Sequence, residues 1–321
     1  METEHWSEIL NTIKIDSSQK TKIIAGKFNA LEGKLKLEKI FGKIPDSIWD
    51  VRYGEKLDLS ERTQQKIVEL HRNDTLKIYD KSTRNTNIRW KGAISIFPNQ
   101  ILNQLIDFYT NEGDTIFDCF AGHNSRMEPS YLKRRNYIGW DCSKEFMSFN
   151  REVREKLLKY GHNKTTIKLV EGDSRYADEP DNSADFIFTS PPFWNLEYYG
   201  DEKEQLGNLS YEDFIKDITL IYKQCFRILK PGKFCIINVN DFRKGGKYYA
   251  YHSDTIHALN DAGFIQYDTI IMKYSSAMRK CFPNQILEEK LMPKIFEYLL
   301  VFYKPPGYEH SAVYPFNKKT S

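Results

Sequence analysis

With 321 residues, 40% of them hydrophobic, the chain is long enough for one large domain or two smaller ones around a sizeable core. Its 28% charged residues and formal net charge of +3 do not mark a nucleic-acid binder, although balanced totals can hide a basic cleft. Five scattered cysteines without a CxxC pair suggest neither a disulfide framework nor a zinc site; the acidic start METEHWSEIL argues against a signal peptide, and no run approaches the roughly 18 apolar residues of a membrane span, so a cytoplasmic protein with no membrane partner is expected.

Residues 1–90 are polar and mostly helical in pattern. Trp6, Ile9, Leu10 and Ile13 make a short apolar stripe, and LSERTQQKIVELHRN reads as a helix capped by Ser60. No catalytic signature falls here; the segment is either a DNA-contacting extension or a cover for the core. From about residue 91 the pattern changes. FPNQILNQLIDFYTN reads as a helix opened at Pro98. TIFDCF, NYIGWD, TIKLVEGD, ADFIFTSPPFW and FCIINVND read as successive strands, separated by helical stretches such as KEFMSFNREVREKLLKYG and YEDFIKDITLIYKQCFRIL. FIQYDTIIMKY and FEYLLVFYK follow as late strands. This alternation predicts an α/β fold with a doubly wound sheet, mostly parallel with an antiparallel edge, behind a mainly helical N-terminal extension. The domain boundaries expected are an extension over 1–90, a catalytic domain over 91–310 and a tail over 311–321.

In such a sheet, ligands sit beyond the carboxyl ends of the strands. The first strand ends in FDCFAG, which brings Asp118, Phe120 and Gly122 to that rim. The second ends in Asp141, 19 residues beyond Gly122, a spacing that suits a carboxylate accepting from ribose hydroxyls. The third ends in EGDSRY, where Asp173 is placed to face an adenine amine, although Asp141 and Asp173 are equally suited to capping the next turn. The GxGxxG pattern of dinucleotide sites is absent, since His123, Asn124, Ser125 and Arg126 follow Gly122. A nucleoside cofactor without a pyrophosphate, such as S-adenosylmethionine, relaxes that demand.

The strongest signal is TSPPFW at 189–194. Two prolines at a strand exit stiffen the backbone and remove two N–H donors, leaving carbonyls to accept. An exocyclic base amine is a poor nucleophile, because its lone pair is delocalised into the ring. The Ser190 hydroxyl and the Pro191 carbonyl can bind its two N–H groups and orient the lone pair, with Pro192 holding the loop and Phe193 stacking on an extruded base. No covalent nucleophile is needed, and no cysteine sits in a Pro-Cys context.

These segments resemble the amino-group DNA methyltransferase family, over roughly residues 90–305. TSPPFW looks like its catalytic tetrapeptide, whose cytosine N-4 members carry Ser-Pro-Pro plus an aromatic and whose adenine N-6 members more often carry Asp-Pro-Pro-Tyr. FDCFAG, YIGWD and EGDSR are similar to its cofactor segments, and FPNQILNQLI to the helix that helps bind the methionine part. The resemblance implies a Rossmann-like S-adenosylmethionine-dependent fold. Its catalytic residues would be Ser190, Pro191, Pro192 and Phe193, and its cofactor would sit on Pro98, Asp118, Phe120, Ala121, Gly122, Asp141, Asp173 and Ser190. It implies duplex DNA with a flipped target base as substrate, cytosine N-4 before adenine N-6 as target, and a cognate restriction endonuclease as a possible partner. The 123–126 segment departs from the family's Ser-Gly-Thr-like continuation, which keeps a catalytically inactive DNA- or cofactor-binding relative in view; Arg126 is a candidate partner for the cofactor carboxylate. Candidate phosphate contacts are Lys81, Arg84, Arg89 and Lys91, then Arg243, Lys244 and Lys247, and Lys273, Arg279 and Lys280, with the later loops favoured.

Overall fold

The computed structural model describes residues 35–43, 45–51, 97–122, 125–159, 164–196, 202–274, 286–288, 290–292 and 294–306. The stripe at Trp6–Ile13, the Ser60 helix, His123, the basic residues at 81–91, Arg279, Lys280 and the 311–321 tail lie outside them. Two compact units divide at residue 46/47. In the first, residues 35–41 are helical, the Gly42 N–H donates to the Glu38 carbonyl at 2.8 Å, and Lys43 pairs with Asp46 at 3.2 Å.

The second unit is built on one eight-stranded sheet. Its strands are β1 (Ile48–Val51), β2 (Thr115–Asp118), β3 (Asn136–Asp141), β4 (Ile167–Glu171), β5 (Ala184–Thr189), β6 (Leu229–Val239), β9 (Ile265–Tyr274) and β10 (Phe296–Tyr303); β7 (Phe242–Lys244) and β8 (Lys247–Tyr249) form a separate hairpin. The sheet order is β1-β9-β10-β6-β5-β2-β3-β4. β10 alone among the described strands of this sheet runs against its neighbours, antiparallel to both β6 and β9. The expected mostly parallel α/β sheet is therefore present, with its reversed strand near one side. β1 falls inside the interval expected to be mainly helical, yet it pairs parallel with β9 as the outermost strand. Its four residues are too short a run to stand out from a polar stretch by alternation.

Among the described residues five helices cover the sheet: α1 (Asn99–Tyr109), α2 (Met127–Leu132), α3 (Lys144–Lys159), α4 (Tyr211–Ile228) and α5 (Tyr251–Asp261). From β2 the chain winds through β3 to β4; from β5 it winds the opposite way to β6. Because βαβ crossovers are right-handed, reversing the winding direction puts the helices on opposite faces. Accordingly α2 packs on α1 and α3, whereas α4 packs on α5. β5 is covered on both sides, and all six of its residues are buried, Asp185 and Thr189 included. Ser210 opens α4, its hydroxyl accepting from the Asp213 N–H at 3.2 Å.

Two buried cations close helices from outside. Arg135 donates to the Thr110 hydroxyl at 2.8 Å and the Thr110 carbonyl at 2.9 Å, holding the end of α1. Lys304, after β10, donates to the carbonyls of Phe226 (2.6 Å) and Leu229 (2.6 Å) at the end of α4, and to the Asn182 side chain at 2.8 Å. Desolvation draws the Lys304 amine below the ordinary lysine range, with Asp181 opposing. A cation at a helix carboxyl end satisfies carbonyls that lack an intrahelical partner. We expect Lys304→Met to cost about 3 kcal/mol, since it strands buried acceptors. Urea unfolding should show a lower midpoint at unchanged slope, and a wild-type midpoint would show that the carbonyls find other donors.

Candidate active site

The winding reverses between β2 and β5, and a cavity of about 850 Å³, its open mouth included, lies at the carboxyl ends of these strands. Four segments far apart in sequence supply its walls. Phe120 and Gly122 come from the loop after β2, Asp141 from the end of β3, Asp173 from the loop after β4, and Ser190, Pro191, Pro192 and Phe193 from the loop after β5. The structure thus brings together eight of the eleven residues picked from sequence. Pro98, Asp118 and Ala121 do not line the cavity. Pro98 caps α1, its carbonyl accepting from the Leu102 N–H. Ala121 is buried, with its N–H donating to the Trp140 carbonyl at 2.9 Å.

Asp118 is fully buried and does a different job. One carboxylate oxygen accepts from Arg126 Nε at 2.6 Å and Tyr137 Oη at 2.8 Å. The other accepts from Thr189 Oγ1 at 2.7 Å and the Phe120 N–H at 3.2 Å. Arg126 also donates from Nη2 to the Phe120 carbonyl. Burial acts to lower the Arg126 pKa, but the Asp118 charge outweighs it and holds the guanidinium protonated. Arg126, a candidate partner for the cofactor carboxylate from sequence, borders the cavity with its charge answered by Asp118, and it braces the loop after β2.

Gly122 sits at φ +50°, the left-handed region that glycine enters at little cost. Its N–H donates to Asp141 Oδ2 at 2.8 Å, and the Ser143 N–H donates to Asp141 Oδ1 at 2.8 Å. Burial pushes the Asp141 carboxyl up to about 6, against the opposing pull of these two amides. Asp173 binds Arg175 through both oxygens, and Arg175 also reaches Asp217. Asp173 therefore both faces the cavity and caps its own turn, accepting from the Arg175 N–H at 2.9 Å. Carboxylates at Asp141, Asp173 and Glu204, set among Phe120, Phe146 and Leu206, suit a flat, partly apolar ligand rich in N–H and O–H donors and positive charge. The adenine, ribose and sulfonium of S-adenosylmethionine have that chemistry. Burial pushes the Cys142 thiol up to about 12 and the Cys119 thiol well above its usual value, so neither cavity-lining cysteine is a thiolate nucleophile near neutral pH.

The loop after β5 is held from several sides. The Tyr251 hydroxyl donates to the Pro192 carbonyl at 3.3 Å, and the Trp194 indole N–H donates to the Leu209 carbonyl at 2.9 Å. Trp194 itself adopts φ +49°, a conformation that is costly for a bulky residue. Its ring packs edge-on to Tyr211 and tilted on Tyr249, with the Lys244 amine 5.1 Å above it. A Cβ at Gly207 would stand 3.0 Å from the Trp194 carbonyl, so the glycine permits this close approach. Phe193 instead lines the cavity, edge-on to Tyr251 at 6.4 Å. Sequence reasoning missed Phe146, whose place on the first turn of α3 was readable from its spacing after Asp141, and Gly172, beside Asp173. Among the cations picked from sequence, Arg243, Lys244 and Lys247 sit on the β7–β8 hairpin, over Tyr248, Trp194 and Tyr249 respectively. Lys273 pairs with Asp50 of β1 at 3.5 Å instead.

A family model described as DNA methylase (N6_N4_Mtase) matches residues 7–152 and 184–321. The type II beta methyltransferase M.BslI of Bacillus sp. (strain NEB-606) is 30% identical over 38% of this chain and 14% of its own length. The type II methyltransferase M.MjaI of Methanocaldococcus jannaschii is 25% identical over 44% of this chain and 56% of its own. The chain thus spans about half or less of the length of the curated relatives it matches. A solved S-adenosylmethionine-dependent methyltransferase from Methanosarcina mazei is 13% identical, with a TM-score of 0.44, over 67% of this chain and 100% of that one. Matched along most of its length by that family model, the chain belongs to the N6/N4 DNA methylase family.

Proposed function

We propose that the chain is a site-specific DNA methyltransferase that transfers a methyl group from S-adenosylmethionine to the exocyclic N-4 amine of cytosine. The observation that carries this reading is the sharing of one cavity by Gly122 and Asp141 on one side and the Ser190–Phe193 loop on the other. S-adenosylmethionine, when bound, supplies an electrophilic methyl group on sulfur. Asp141 accepts from the ribose hydroxyls, with Gly122 keeping the approach clear of a side chain. Ser190 and the Pro191 carbonyl accept the two N–H groups of the target amine, which aligns its lone pair and favours the positive charge that grows on nitrogen. Phe193 offers a face for a base swung out of the duplex. The high thiol pKa values at Cys119 and Cys142 favour direct transfer to nitrogen over attack by cysteine on the ring. Ser190 before the prolines supports cytosine over adenine, by the likeness of TSPPFW to the cytosine N-4 motif. The cations of the β7–β8 hairpin, next to Trp194, are suited to flanking phosphates.

Two measurements test this reading. Nucleoside analysis of DNA methylated in vitro should yield N-4-methylcytosine; N-6-methyladenine alone would reject the cytosine assignment, and binding of cofactor with no transfer to any mixed-sequence DNA would reject the enzyme. Cofactor affinity should also depend on pH. Asp141 must be ionised to act purely as an acceptor, and its carboxyl protonates as pH falls through about 6. Calorimetry should therefore show affinity rising from pH 5 to pH 7, whereas Asp141→Asn should bind about 10- to 100-fold more weakly at pH 7 and lose most of that slope. A wild-type affinity with no pH dependence would remove Asp141 from the ribose site.

A further inference from the structure

We propose that Asn238 and Glu297 are positioning residues that fix the polarity of the Ser190 hydroxyl, so that it accepts from the target amine and does not donate to it. This deepens the reading above and rests on Ser190 receiving that amine.

Asn238 lies on β6 and Glu297 on β10. In their antiparallel pairing Asn238 stands opposite Leu299, so Glu297, two residues along, shares its face of the sheet. Both are almost wholly buried. The Asn238 Nδ2 group has two hydrogens and two acceptors in reach, Glu297 Oε2 at 3.0 Å and Ser190 Oγ at 3.3 Å. A carboxylate only accepts, so it fixes which way the amide faces. Turning Asn238 over would set its carbonyl oxygen against the Glu297 oxygen, acceptor to acceptor. Glu297 therefore selects the orientation in which the amide donates to Ser190.

One lone pair of the hydroxyl takes the amide N–H, and the Asn238 main-chain carbonyl, 3.5 Å away, offers its hydrogen a long, weak acceptor. A hydroxyl that turns its hydrogen to that carbonyl presents its remaining lone pair to the cavity, and that lone pair can only accept. An exocyclic amine presents hydrogens to it; a keto oxygen at the same place presents none. The arrangement thus reads amine-bearing bases and rejects keto bases, and it holds the acceptor still before the amine arrives.

One cost argues against a purely structural role. Asn238 Oδ1 is buried and has no hydrogen-bond partner among the described residues. Leaving such an acceptor unmet costs about 1–3 kcal/mol. A leucine of similar volume would fill that place in the sheet without the penalty.

The test uses single-turnover methyl transfer at saturating cofactor and DNA, with cofactor binding measured by calorimetry. Glu297→Leu should slow transfer about 10- to 100-fold with cofactor affinity unchanged, because the acceptor loses its fixed orientation. Glu297→Gln, which can still present a carbonyl oxygen to Asn238, should restore the rate to within a few-fold of wild type. Asn238→Asp removes the donor and should slow transfer as Glu297→Leu does; it carries the comparison alone if the leucine variant does not fold. Equal losses in Glu297→Gln and Glu297→Leu, a full rate in Asn238→Asp, or cofactor affinity falling in step with rate would overturn the positioning role. Ser190→Ala separates the two levels. If it transfers methyl at the wild-type rate, the reading of the site itself falls; if it is slow while Asn238→Asp is fast, only the support assigned to Asn238 and Glu297 falls.

Discussion

The rim of this sheet depends on one buried carboxylate. Asp118, at the end of β2, accepts from Arg126 before α2, from Tyr137 on β3, from Thr189 at the end of β5 and from the backbone of its own loop. Thr189 directly precedes Ser190, and Phe120 and Gly122 lie two and four residues after Asp118. The same group thus ties the loop proposed to hold the cofactor to the loop proposed to hold the target amine. A paired and fully hydrogen-bonded charge of this kind adds little net stability over an apolar core, but it is costly to break, because one lost partner leaves a bare charge inside. Its effect is geometric: the two loops cannot drift apart without breaking the Thr189–Asp118 hydrogen bond.

Around that hub the site divides into a rigid half and an aromatic half. On the cofactor side, backbone amides, glycines and carboxylates set the shape. On the other, Trp194, Tyr211, Phe242, Tyr249 and Tyr251 pack in edge-on, tilted and stacked pairs, with Lys244 over the Trp194 ring and the Tyr251 hydroxyl on the Pro192 carbonyl. This cluster holds Trp194 in a backbone conformation that it would not choose alone. The β7–β8 hairpin that carries Arg243, Lys244 and Lys247 is built from the same aromatics, so its cations are placed relative to the Pro-Pro loop by packing.

Much of this was legible in the sequence, for a physical reason. β2, β3, β4 and β5 are short apolar-rich strands whose ends carry glycine, aspartate or proline, and such ends fix where a strand stops and which residues reach the rim. Ser190, Gly122, Asp141 and Asp173 were picked from those ends together with the family resemblance of the segments around them. Periodicity does not say which neighbour answers a buried charge, and so Asp118 and Arg126 were each read as facing a ligand when they face one another. Pro98 and Ala121 lie outside the cavity lining for a related reason: adjacency to a rim loop does not fix side-chain direction. Asn238 and Glu297 were invisible, because their contact depends on β10 lying beside β6, and the order of strands in a sheet is not written in the spacing of either.

The reversed strand has a further consequence, for biosynthesis. β10 slots between β6 and β9, both of which precede it in the chain. A ribosome therefore releases most of the rim before the central part of the sheet can close, and the cap that Lys304 places on α4 arrives just after β10. Pairing over such separations is slow relative to local helix formation. The nascent polypeptide must carry an open slot flanked by two unpaired strand edges until this late strand docks, which makes that slot the point of greatest exposure to misassociation and to chaperones during synthesis.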